Sequence, residues 1–376
     1  MSRIAIIHFQ PVELYPPILN LLRLLDKDHK DHQVRVYTTR TGFSNIKQYQ
    51  PHSLDLKVVV WGRSGNDETA FGRYWNYIYF NMFTLLCLVF TRPGKIVYYE
   101  TLSAFPAYIY RKYFNRSCEI YIHYHEYTSP KEYREGMKLS FYFHQLENWL
   151  YPTAAWISHT NSDRMRKFTH DLSGVTVANQ QILPNFPPRS WQQEPQKRVL
   201  VPLKVVYVGS FSFETMYVKE FATWVDKQKG SVVWDIYSIN YTIDVKEYVT
   251  NLKSSSITLH DGVDYESLPR ILKNYNVGVI LYKGHISNYV YNAPNKLFEY
   301  MACGLDVWFP DVMVSCMPYC TKNEFPSVMA VHFESLEEFE WEQSAEHAGK
   351  TRRVSSYYCE GALEPLMRTL LNGPSI

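Results

Sequence analysis

Several features of cofactor-dependent and secreted proteins are missing from this chain of 376 residues. The turn from Phe9 to Glu13, which follows the first predicted strand, contains no glycine. The GxGxxG phosphate loop of dinucleotide-binding proteins is therefore absent, and a dinucleotide cofactor is not expected. The first residues, MSRIAIIHFQ, lead directly into that strand and lack the length and the cleavage site of a signal peptide. We therefore expect a cytoplasmic protein.

Cysteine is scarce, and its spacing predicts no disulfide framework. The six cysteines show no paired pattern and several stand in apolar or helical contexts, which indicates a reducing compartment. Cys316, Cys320 and His332 do not have the spacing of a closed zinc site, and a fourth ligand is missing. No metal is expected. In a cytoplasmic protein the glycosylation sequons at Asn115 and Asn240 would be unused.

Neither sign of charge dominates. The 39 lysines and arginines are offset by 37 acidic residues, which leaves a net charge of +2 and no electrostatic reason to expect a nucleic-acid partner. The hydrophobic content of 46% and the charged content of 20% are typical of globular proteins. A chain of this length is expected to form two domains of ~150–200 residues each.

Short β-rich segments alternate with longer helix-like segments along the whole chain. The predicted strands of the first half are Ile4–Phe9, Val34–Thr39, Lys57–Trp61, Ile96–Tyr99, Glu119–Tyr124 and Trp156–His159. Those of the second half are Leu203–Val208, Ser231–Tyr237, Ser256–His260, Val277–Leu281, Leu305–Phe309 and Val328–His332. This alternation predicts an α/β protein with two Rossmann-like, doubly wound parallel-sheet domains. We expect the domains to face a central crevice, because ligands bind beyond the carboxyl ends of such strands.

A proline-rich segment from Ile182 to Pro202 separates the two halves and has little periodicity, as a linker would. We predict a first domain over residues 1–185, a linker over 186–202 and a second domain over 203–355. The remaining residues, 356–376, are predicted to contain a closing helix that can pack back onto the first domain.

One long segment, Tyr74 to Phe90, contains no charged residue. It lies at the lower limit of length for a membrane span, and Asn76 and Asn81 interrupt it. The sequence favours a helix that is buried or that partly faces a membrane over one that crosses it. Basic residues near this helix are compatible with peripheral attachment to the inner face of a membrane. They are Arg63, Arg73, Arg92, Lys95, Arg111 and Lys112.

The most informative segment is Asn292 to Trp308, NAPNKLFEYMACGLDVW. Pro294 suits the first turn of a helix and Gly304 suits the left-handed position after its end. The start of such a helix offers unpaired N–H groups to a diphosphate, with Lys296 adding a cation and Asn295 an amide. Glu299 can accept two hydrogen bonds from a ribose. By itself the pattern equally fits an ordinary capped helix that packs Leu297, Phe298, Met301 and Ala302 and leaves Lys296, Glu299, Tyr300 and Cys303 on its other face.

The same segment resembles the donor-binding motif of the retaining, nucleotide-sugar-dependent glycosyltransferases of family four, which have two Rossmann-like domains in a GT-B type fold. Their pattern is (S/A/V)PNKLxEYMAxGLPV. This chain matches it at Pro294, Asn295, Lys296, Leu297, Glu299, Tyr300, Met301, Ala302, Gly304, Leu305 and Val307. The resemblance implies a hexosyltransferase-type activity with retention, an acceptor domain followed by a donor domain, and no cofactor other than the nucleoside diphosphate sugar substrate.

The chain departs from the family at three places. Asp306 replaces the usual proline, and Tyr291 stands where the paired-glutamate form of the motif has its first acid. The family also places an arginine and a lysine after the glycine that corresponds to Gly209, whereas this chain has Ser210 and Phe211 there. More of the charge on the diphosphate would then be balanced by Lys296 and the helix start.

Further donor-binding residues follow from strand ends in the second half. Gly209 allows the backbone to approach a phosphate and Ser210 can donate a hydrogen bond to it. The resemblance places backbone near Val263 against the base. The loop before the motif is expected to border the donor sugar and to move on binding. Its candidate residues are Ser287, Asn288 and Tyr291.

In the first half, the predicted strand ending at Tyr124 is followed by His125-Glu126-Tyr127. The resembling family has a histidine at this strand end, close to the donor sugar. His125 is the better match and His123 the second, while a packing role remains open for either. The resemblance thus implies three catalytic residues, His125, Lys296 and Glu299.

The function that these patterns favour is transfer of a sugar from a nucleoside diphosphate sugar to a saccharide or lipid-linked acceptor, in the synthesis of surface polysaccharide or another glycoconjugate. Two alternatives stay open. One is a nucleotide-sugar epimerase of the same fold, which needs an acid/base carboxylate pair. The other is a catalytically silent nucleotide-sugar-binding scaffold, which the departures from the family motif favour.

Overall fold

The computed structural model describes residues 2–28, 32–43, 46–64, 69–172, 174–193, 201–239, 243–342 and 350–371. The chain divides into two compact units. The first unit runs to Asn185 and includes the chain from Cys359 onward, and the second unit is Phe186–Tyr358. Residues 194–200 of the predicted linker and the sequon at Asn240 lie outside the described residues.

The first unit is built on a seven-stranded sheet in which every pair of neighbouring strands is parallel. Its strands are β1 (Ser2–Ile7), β2 (His32–Thr41), β3 (Leu56–Ser64), β4 (Lys95–Tyr99), β5 (Glu119–Tyr124), β6 (Trp156–His159) and β7 (Gln180–Ile182). Their order is β3-β2-β1-β4-β5-β6-β7, the order of a doubly wound fold. The strand β7 carries no strand pattern in the sequence and was not predicted, because its three residues are exposed and two of them are glutamines.

Helices lie between the strands of the first unit. They are α1 (Pro16–Asp28), α2 (Ala70–Thr91), α3 (Ala104–Ile109), α4 (Pro130–Gly136), α5 (Lys138–Glu147) and α6 (Ser162–Asp171). A π-helical turn, Tyr110–Phe114, follows α3 directly. Within the core the Glu147 carboxylate is fully buried and accepts hydrogen bonds from the hydroxyls of Tyr98 (2.9 Å), Tyr124 (2.6 Å) and Thr101 (3.0 Å). These bonds offset the cost of burying a carboxylate and tie α5 to β4 and β5.

The second unit contains a six-stranded parallel sheet. Its strands are β8 (Leu203–Val208), β9 (Val232–Ser238), β10 (Ile257–Asp261), β11 (Val277–Val279), β12 (Asp306–Pro310) and β14 (Val328–Val331), in the order β10-β9-β8-β11-β12-β14. A separate parallel pair joins β13 (Glu324–Phe325) to β15 (Thr351–Arg352). The helices are α7 (Val218–Lys227), α8 (Ile243–Asn251), α9 (Leu268–Leu272), α10 (Ser287–Val290) and α11 (Asn295–Ala302). The prediction of two Rossmann-like α/β units is confirmed.

Residues 186–193, placed in the linker by the sequence analysis, pack against the second unit. The Trp191 side chain is buried and its ring lies 4.5 Å from that of Tyr265. The backbone N–H of Gln193 donates to the carbonyl of Ala302 at 2.9 Å. The aromatic side chains of this segment explain why it is attached, because they bury apolar surface that a free linker would expose.

The last helix, α12 (Cys359–Leu371), belongs to the first unit. It packs against α1 and buries Leu363, Leu366 and Leu370. The Lys95 ammonium donates to the carbonyls of Thr369 (2.6 Å) and Leu370 (3.0 Å), where a cation also suits the negative end of the helix dipole.

Candidate functional site

Helix α11 carries the sequence motif, and the structure corrects two expectations about it. Pro294 precedes the helix in an extended conformation (φ −73°, ψ 157°) rather than lying in the first turn. Gly304 has the predicted left-handed conformation, with φ +75°. The face expected to be free is mostly covered, since Glu299, Tyr300 and Cys303 are all buried. Because both faces of α11 are covered by the protein, its first turn is the part that can contact a ligand.

The start of α11 meets the end of β8 through Lys296 and Gly209. A Cβ atom at Gly209 would lie 2.7 Å from Cε and 2.8 Å from Nζ of Lys296, so a larger residue here would displace the end of this lysine. Gly209 also has φ +137°, a conformation that other residues rarely adopt. The structure thus brings together two of the predicted donor-binding residues, which are far apart in the sequence.

Three tyrosines hold the Lys296 side chain in place. Its ammonium lies 5.6 Å from the ring centre of Tyr207 and 5.6 Å from that of Tyr282, and it donates a hydrogen bond to the Tyr282 hydroxyl at 3.3 Å. The Tyr289 ring of α10 stacks on Tyr282, with 4.7 Å between ring centres. Contacts of a cation with aromatic faces restrict its position without neutralising its charge. The Lys296 ammonium is therefore restricted in position at the start of α11.

Glu299 lies one turn further along α11 and is only 6% exposed. Burial raises the pKa of its carboxyl to about 7, and the positive charge of Lys296 opposes this rise. Among the described residues, none donates a side-chain hydrogen bond to this carboxylate. A carboxyl group in this state can gain two hydrogen bonds from the hydroxyls of a ligand.

Tyr300 fixes α11 against the sheet. Its hydroxyl oxygen accepts a hydrogen bond from the backbone N–H of Val208 at 3.1 Å, and its ring lies directly over Gly278 in β11. A side chain at position 278 would overlap that ring, so this glycine allows the helix to approach the strand closely. The helix start is consequently held next to the carboxyl ends of β8 and β11.

The departures from the family motif have local explanations. The buried Asp306 carboxylate accepts a hydrogen bond from the backbone N–H of Ser327 at 2.7 Å, beside β12 and β14, so this residue serves the sheet. Phe211 is buried, which leaves the exposed Ser210 as the polar side chain after Gly209. The first lysine after Gly209 in the sequence is Lys219. Its ammonium packs on the Phe213 ring, 4.5 Å from the ring centre.

The remaining predicted donor-binding residues are half-buried. Ser287 and Asn288 were expected in a loop, but they form the short helix α10, which ends at Tyr291. Val263 follows β10, two strands away from β8 and thus at roughly 10 Å by the usual strand spacing. Gly262, beside it, lies so close to the backbone of Ile239 that an added Cβ would be 2.7 Å from the Ile239 Cα.

In the first unit, four histidines form a buried cluster at the carboxyl ends of β1, β5 and β6. This histidine cluster consists of His8, His123, His125 and His159. His123 has partners on both nitrogens, Ser158 Oγ at 2.8 Å and His125 Nδ1 at 3.2 Å. His125 Nε2 and His8 Nε2 are buried and find no hydrogen-bond partner in the part of the chain that the structure describes. His123 therefore acts as a support, whereas His125 has an atom left for a ligand.

Burial lowers the pKa of His125 to about 3 and that of His8 to about 3. For His125 the nearby Asn185 side chain, which makes no hydrogen bond of normal geometry to Nε2, opposes this shift, and the positive charge of Arg164 adds to it. Both imidazoles are neutral at physiological pH. A neutral imidazole with a free nitrogen can donate or accept one hydrogen bond, and it does so without adding a charge to the site.

The position of His125 is set by Glu100, which the sequence analysis did not identify. The Glu100 carboxylate accepts hydrogen bonds from the backbone N–H groups of His125 (2.6 Å) and Glu126 (3.3 Å). Burial, and then the negative charge of Glu126, raises the pKa of Glu100 to about 8. Its backbone has φ +62° and ψ 152°, a strained conformation for any residue except glycine. Arg164 adds a second support by donating to the carbonyl of His125.

His8, Glu100 and Arg164 were missed because a single residue after a strand, or within a helix such as α6, carries no motif. A glutamate after β4 and a histidine after β1 look like ordinary turn residues until the parallel sheet brings the strand ends together. Over the described ranges, no three histidine, cysteine or acidic side chains are placed to hold a metal ion. No described helix is long and apolar enough to cross a membrane.

Solved structures with the same fold are numerous, although their sequences differ widely from this one. Sucrose-phosphate synthase from Thermosynechococcus elongatus matches with a TM-score of 0.66 and 14% identity, over 93% of this chain and 91% of its own. Anabaena HepE in complex with UDP and glucose matches with a TM-score of 0.64 and 10% identity, over 98% and 99%.

A Listeria monocytogenes protein assigned as a UDP-N-acetylglucosamine 2-epimerase matches with a TM-score of 0.55 and 9% identity, over 98% of this chain and 95% of its own. No protein-family model and no curated protein sequence match this chain. The structural matches cover nearly all of both chains, and they establish that the protein has the GT-B type fold.

Proposed function

We propose that the protein is a glycosyltransferase of the family-four type, which transfers a hexose from a nucleoside diphosphate sugar to a saccharide or lipid-linked acceptor with retention of configuration. The setting would be surface polysaccharide or glycoconjugate synthesis in the cytoplasm. The observation that carries the proposal is the contact between Lys296 and Gly209 at the start of α11, with the buried Glu299 one turn away. Solved structures of this fold include complexes with UDP and with UDP-glucose, which makes UDP the first nucleotide to test.

In this mechanism the second unit stabilises the leaving group. Negative charge builds on the diphosphate as the bond to the sugar breaks. The Lys296 ammonium and backbone N–H groups at the start of α11 would face that charge, and preorganised donors of this kind lower the barrier most. Asn295 and Ser210 add polar contacts, and Gly209 lets the phosphates approach the backbone. The proposal requires no metal ion for this step.

Glu299 would anchor the nucleotide by accepting hydrogen bonds from the two ribose hydroxyls. Ionisation of its carboxyl is needed for the strongest pair of such bonds. Backbone near Val263 would contact the base, while Ser287, Asn288 and Tyr291 would border the donor sugar.

The first unit would hold the acceptor and contribute His125. A neutral imidazole whose Nε2 has no partner among the described residues is suited to hydrogen-bond a hydroxyl of the sugar. We propose that His125 orients and polarises such a hydroxyl, and that Glu100 and Arg164 hold it in position.

An epimerase of the same fold is a second candidate, favoured by one observation. Such an enzyme needs a pair of carboxyl groups for acid/base work, and the Glu126 carboxylate lies near enough to Glu100 that its negative charge, after burial, raises the pKa of Glu100 to about 8. Product analysis separates the two reactions. A transferase forms free nucleoside diphosphate and a glycosylated acceptor, whereas an epimerase converts one nucleotide sugar into another.

The test is a thermal-shift panel of purified protein with UDP, GDP, ADP, CMP and NAD. We expect one nucleoside diphosphate to raise Tm, the Glu299→Ala variant to lose this shift, and Leu54→Ser, which changes an exposed side chain, to keep it. Slow hydrolysis of the matching nucleotide sugar by the wild type, and not by Glu299→Ala, would then show turnover at this site. Analysis of the products would assign the enzyme class. A nucleotide shift without any turnover would indicate the silent scaffold, and the same shift in Glu299→Ala would contradict the assigned role of Glu299.

A further inference from the structure

Helix α2 is apolar on all sides, yet only one side is covered by the protein. Tyr77, Phe80, Thr84 and Leu88 point into the core and are buried. On the opposite side Phe71, Trp75 and Phe90 are 78%, 60% and 81% exposed. The large apolar side chains exposed on α2 are Phe71, Tyr74, Trp75, Met82, Phe83, Leu86 and Phe90. Their spacing of mostly three, four or seven residues makes one continuous stripe along the helix.

The stripe continues onto neighbouring elements. The π-helical turn contacts α2 and adds the exposed rings of Tyr113 and Phe114. Within that turn the Lys112 ammonium lies 5.4 Å from the ring centre of Tyr113 and 5.7 Å from that of Trp149, which is itself exposed. We call this set, the α2 stripe together with Tyr113, Phe114 and Trp149, the aromatic face. A soluble surface rarely shows so many large apolar side chains together, so this face is expected to have a partner.

Most charged residues around the aromatic face are basic, although Asp67 and Glu68, which precede α2 in the sequence, lie outside the described residues. Arg73 lies in the first turn of α2 and Arg92 follows its end, and both are exposed. Lys112 and the exposed Arg116 lie in and just after the π-helical turn. From Ala70 to Ser117 the sequence has a single acid, Glu100, and its carboxylate is bonded to the backbone of His125. The partner must therefore be apolar at its centre and negatively charged at its rim.

We propose that the aromatic face docks onto a membrane that contains anionic lipids. Tryptophan and tyrosine favour the boundary between headgroups and acyl chains, and each nearby lysine or arginine adds about 1 kcal/mol of attraction to anionic headgroups. The buried side of α2 is held by the core, so the helix would lie along the surface of the bilayer. A second copy docking through the same face would bring the exposed arginines of the two copies together, and this repulsion disfavours a second copy as the partner.

This inference deepens the proposed function, on which one part of it rests: a face that holds the first unit on a membrane would favour a lipid-linked acceptor over a soluble saccharide. The docking itself needs only the described surface. The two can be tested separately, because nucleotide binding is assigned to the second unit and lipid binding to the first.

The experiment is co-sedimentation of the full chain with vesicles of phosphatidylcholine alone or mixed with phosphatidylglycerol, at low and high salt. We expect binding to the mixed vesicles, weakened by salt. The double variant Phe71→Ser and Trp75→Ser should bind at least about tenfold more weakly, because it removes two exposed apolar anchors. Leu54→Ser removes an apolar side chain that is 89% exposed outside the aromatic face, and it should bind as the wild type does.

The following outcomes would contradict docking of the aromatic face onto anionic lipids. No binding of the wild type to either vesicle, or equal binding by the double variant, would exclude docking through this face. Equal binding to neutral vesicles would exclude the role of the cations. A dimer in solution that the double variant disperses would assign the face to a second copy. The nucleotide-induced rise in Tm, measured on the same variants, reports independently on the proposed function, so vesicle binding without that rise would leave docking supported and the transferase contradicted.

Discussion

The side chain of Lys296 lies where a side chain at position 209 would begin. A Cβ atom added to Gly209 would be only 2.7 Å from the lysine Cε and 2.8 Å from its Nζ. Two segments remote in the sequence are thereby joined at one point, where the end of β8 meets the start of α11. The contact explains why the position after β8 needs glycine and why the lysine has so little freedom. It also indicates where the site is most easily damaged.

Replacing Gly209 by alanine should reduce nucleotide affinity by at least about tenfold. The new methyl group would displace the Lys296 ammonium, and the backbone conformation at φ +137° would add a strain of about 1–3 kcal/mol. Isothermal titration with the nucleotide that shifts Tm would measure the loss. Gly361→Ala is the matched control, because an added Cβ there meets nothing within 4 Å. Wild-type affinity in Gly209→Ala would show that Lys296 does not contact the ligand.

Nucleotide affinity should rise with pH around neutrality. Burial raises the pKa of Glu299 to about 7, and the ionised carboxylate is the form that accepts both ribose hydrogen bonds. At one pH unit below the pKa of Glu299, the affinity should be roughly tenfold lower than at high pH, where the carboxyl is fully ionised. Titrations across this range would measure the effect. Glu299→Gln should bind weakly and with a flat pH profile, and a sloping profile in this variant would assign the titration to another group.

Replacing Gly278 by alanine should destabilise the second unit by about 1–3 kcal/mol. The added methyl would overlap the buried ring of Tyr300, which is held by the hydrogen bond from the Val208 N–H and cannot move aside freely. Denaturant unfolding monitored by tryptophan fluorescence would measure the change. Gly361→Ala, which meets nothing within 4 Å and replaces a glycine inside α12, should instead raise stability by up to about 1 kcal/mol, and unchanged stability in Gly278→Ala would mean that α11 can shift away from β11.

Glu100 should make the stability of the first unit depend on pH. Burial and the charge of Glu126 raise its pKa in the folded protein from 4.5 to about 8, so folding favours the neutral form. Between pH 4.5 and about pH 8 the Glu100 carboxyl is ionised in the unfolded chain but neutral in the folded protein. The free energy of unfolding therefore falls as pH rises through this range. Glu100→Gln keeps an oxygen that can accept from the His125 and Glu126 N–H groups but does not ionise. The Tm of Glu100→Gln minus that of the wild type should grow from pH 5 to pH 8.

The opposite trend, or a constant difference in Tm, would show that the Glu100 carboxyl is not buried in this way. Glu100→Gly provides a further comparison, because glycine adopts φ +62° without strain but removes the acceptor. Loss of His125-dependent activity in Glu100→Gly, with activity retained in Glu100→Gln, would identify Glu100 as a positioning residue.

Much of the fold was predictable because parallel sheets have a strong sequence pattern. Strands such as Val205–Val208 are continuous apolar runs between longer amphipathic segments, and twelve strands of the two large sheets were predicted close to their observed positions. The strand β7 escaped because nothing in its exposed glutamines distinguishes it from a loop. The attachment of residues 186–193 escaped for a related reason, since prolines suggest a linker while the burial of Trp191 depends on a surface formed elsewhere in the chain.

The candidate site was predictable only where its residues are neighbours in the sequence. Asn295, Lys296 and Glu299 lie within one helix. The period and the boundaries of that helix can be inferred from residues that are adjacent in the sequence. By contrast, the Glu100 carboxylate reaches His125 across 25 positions, and Asp306 bonds to Ser327 across 21. Such pairs become visible only when neighbouring strands are placed side by side.

The sequence by itself determined the order of strands and helices, the two-unit α/β architecture and the position of α11, because these depend on local periodicity and on the conformations that proline and glycine allow. Only the tertiary structure decided which side chains meet. It placed Lys296 against Gly209, buried Glu299 until its carboxyl titrates near neutrality, left His125 Nε2 without a partner among the described residues, and exposed one side of α2. The physical reason is that burial, electrostatic environment and contact are properties of the assembled core, in which each residue is surrounded by neighbours that lie far away along the chain.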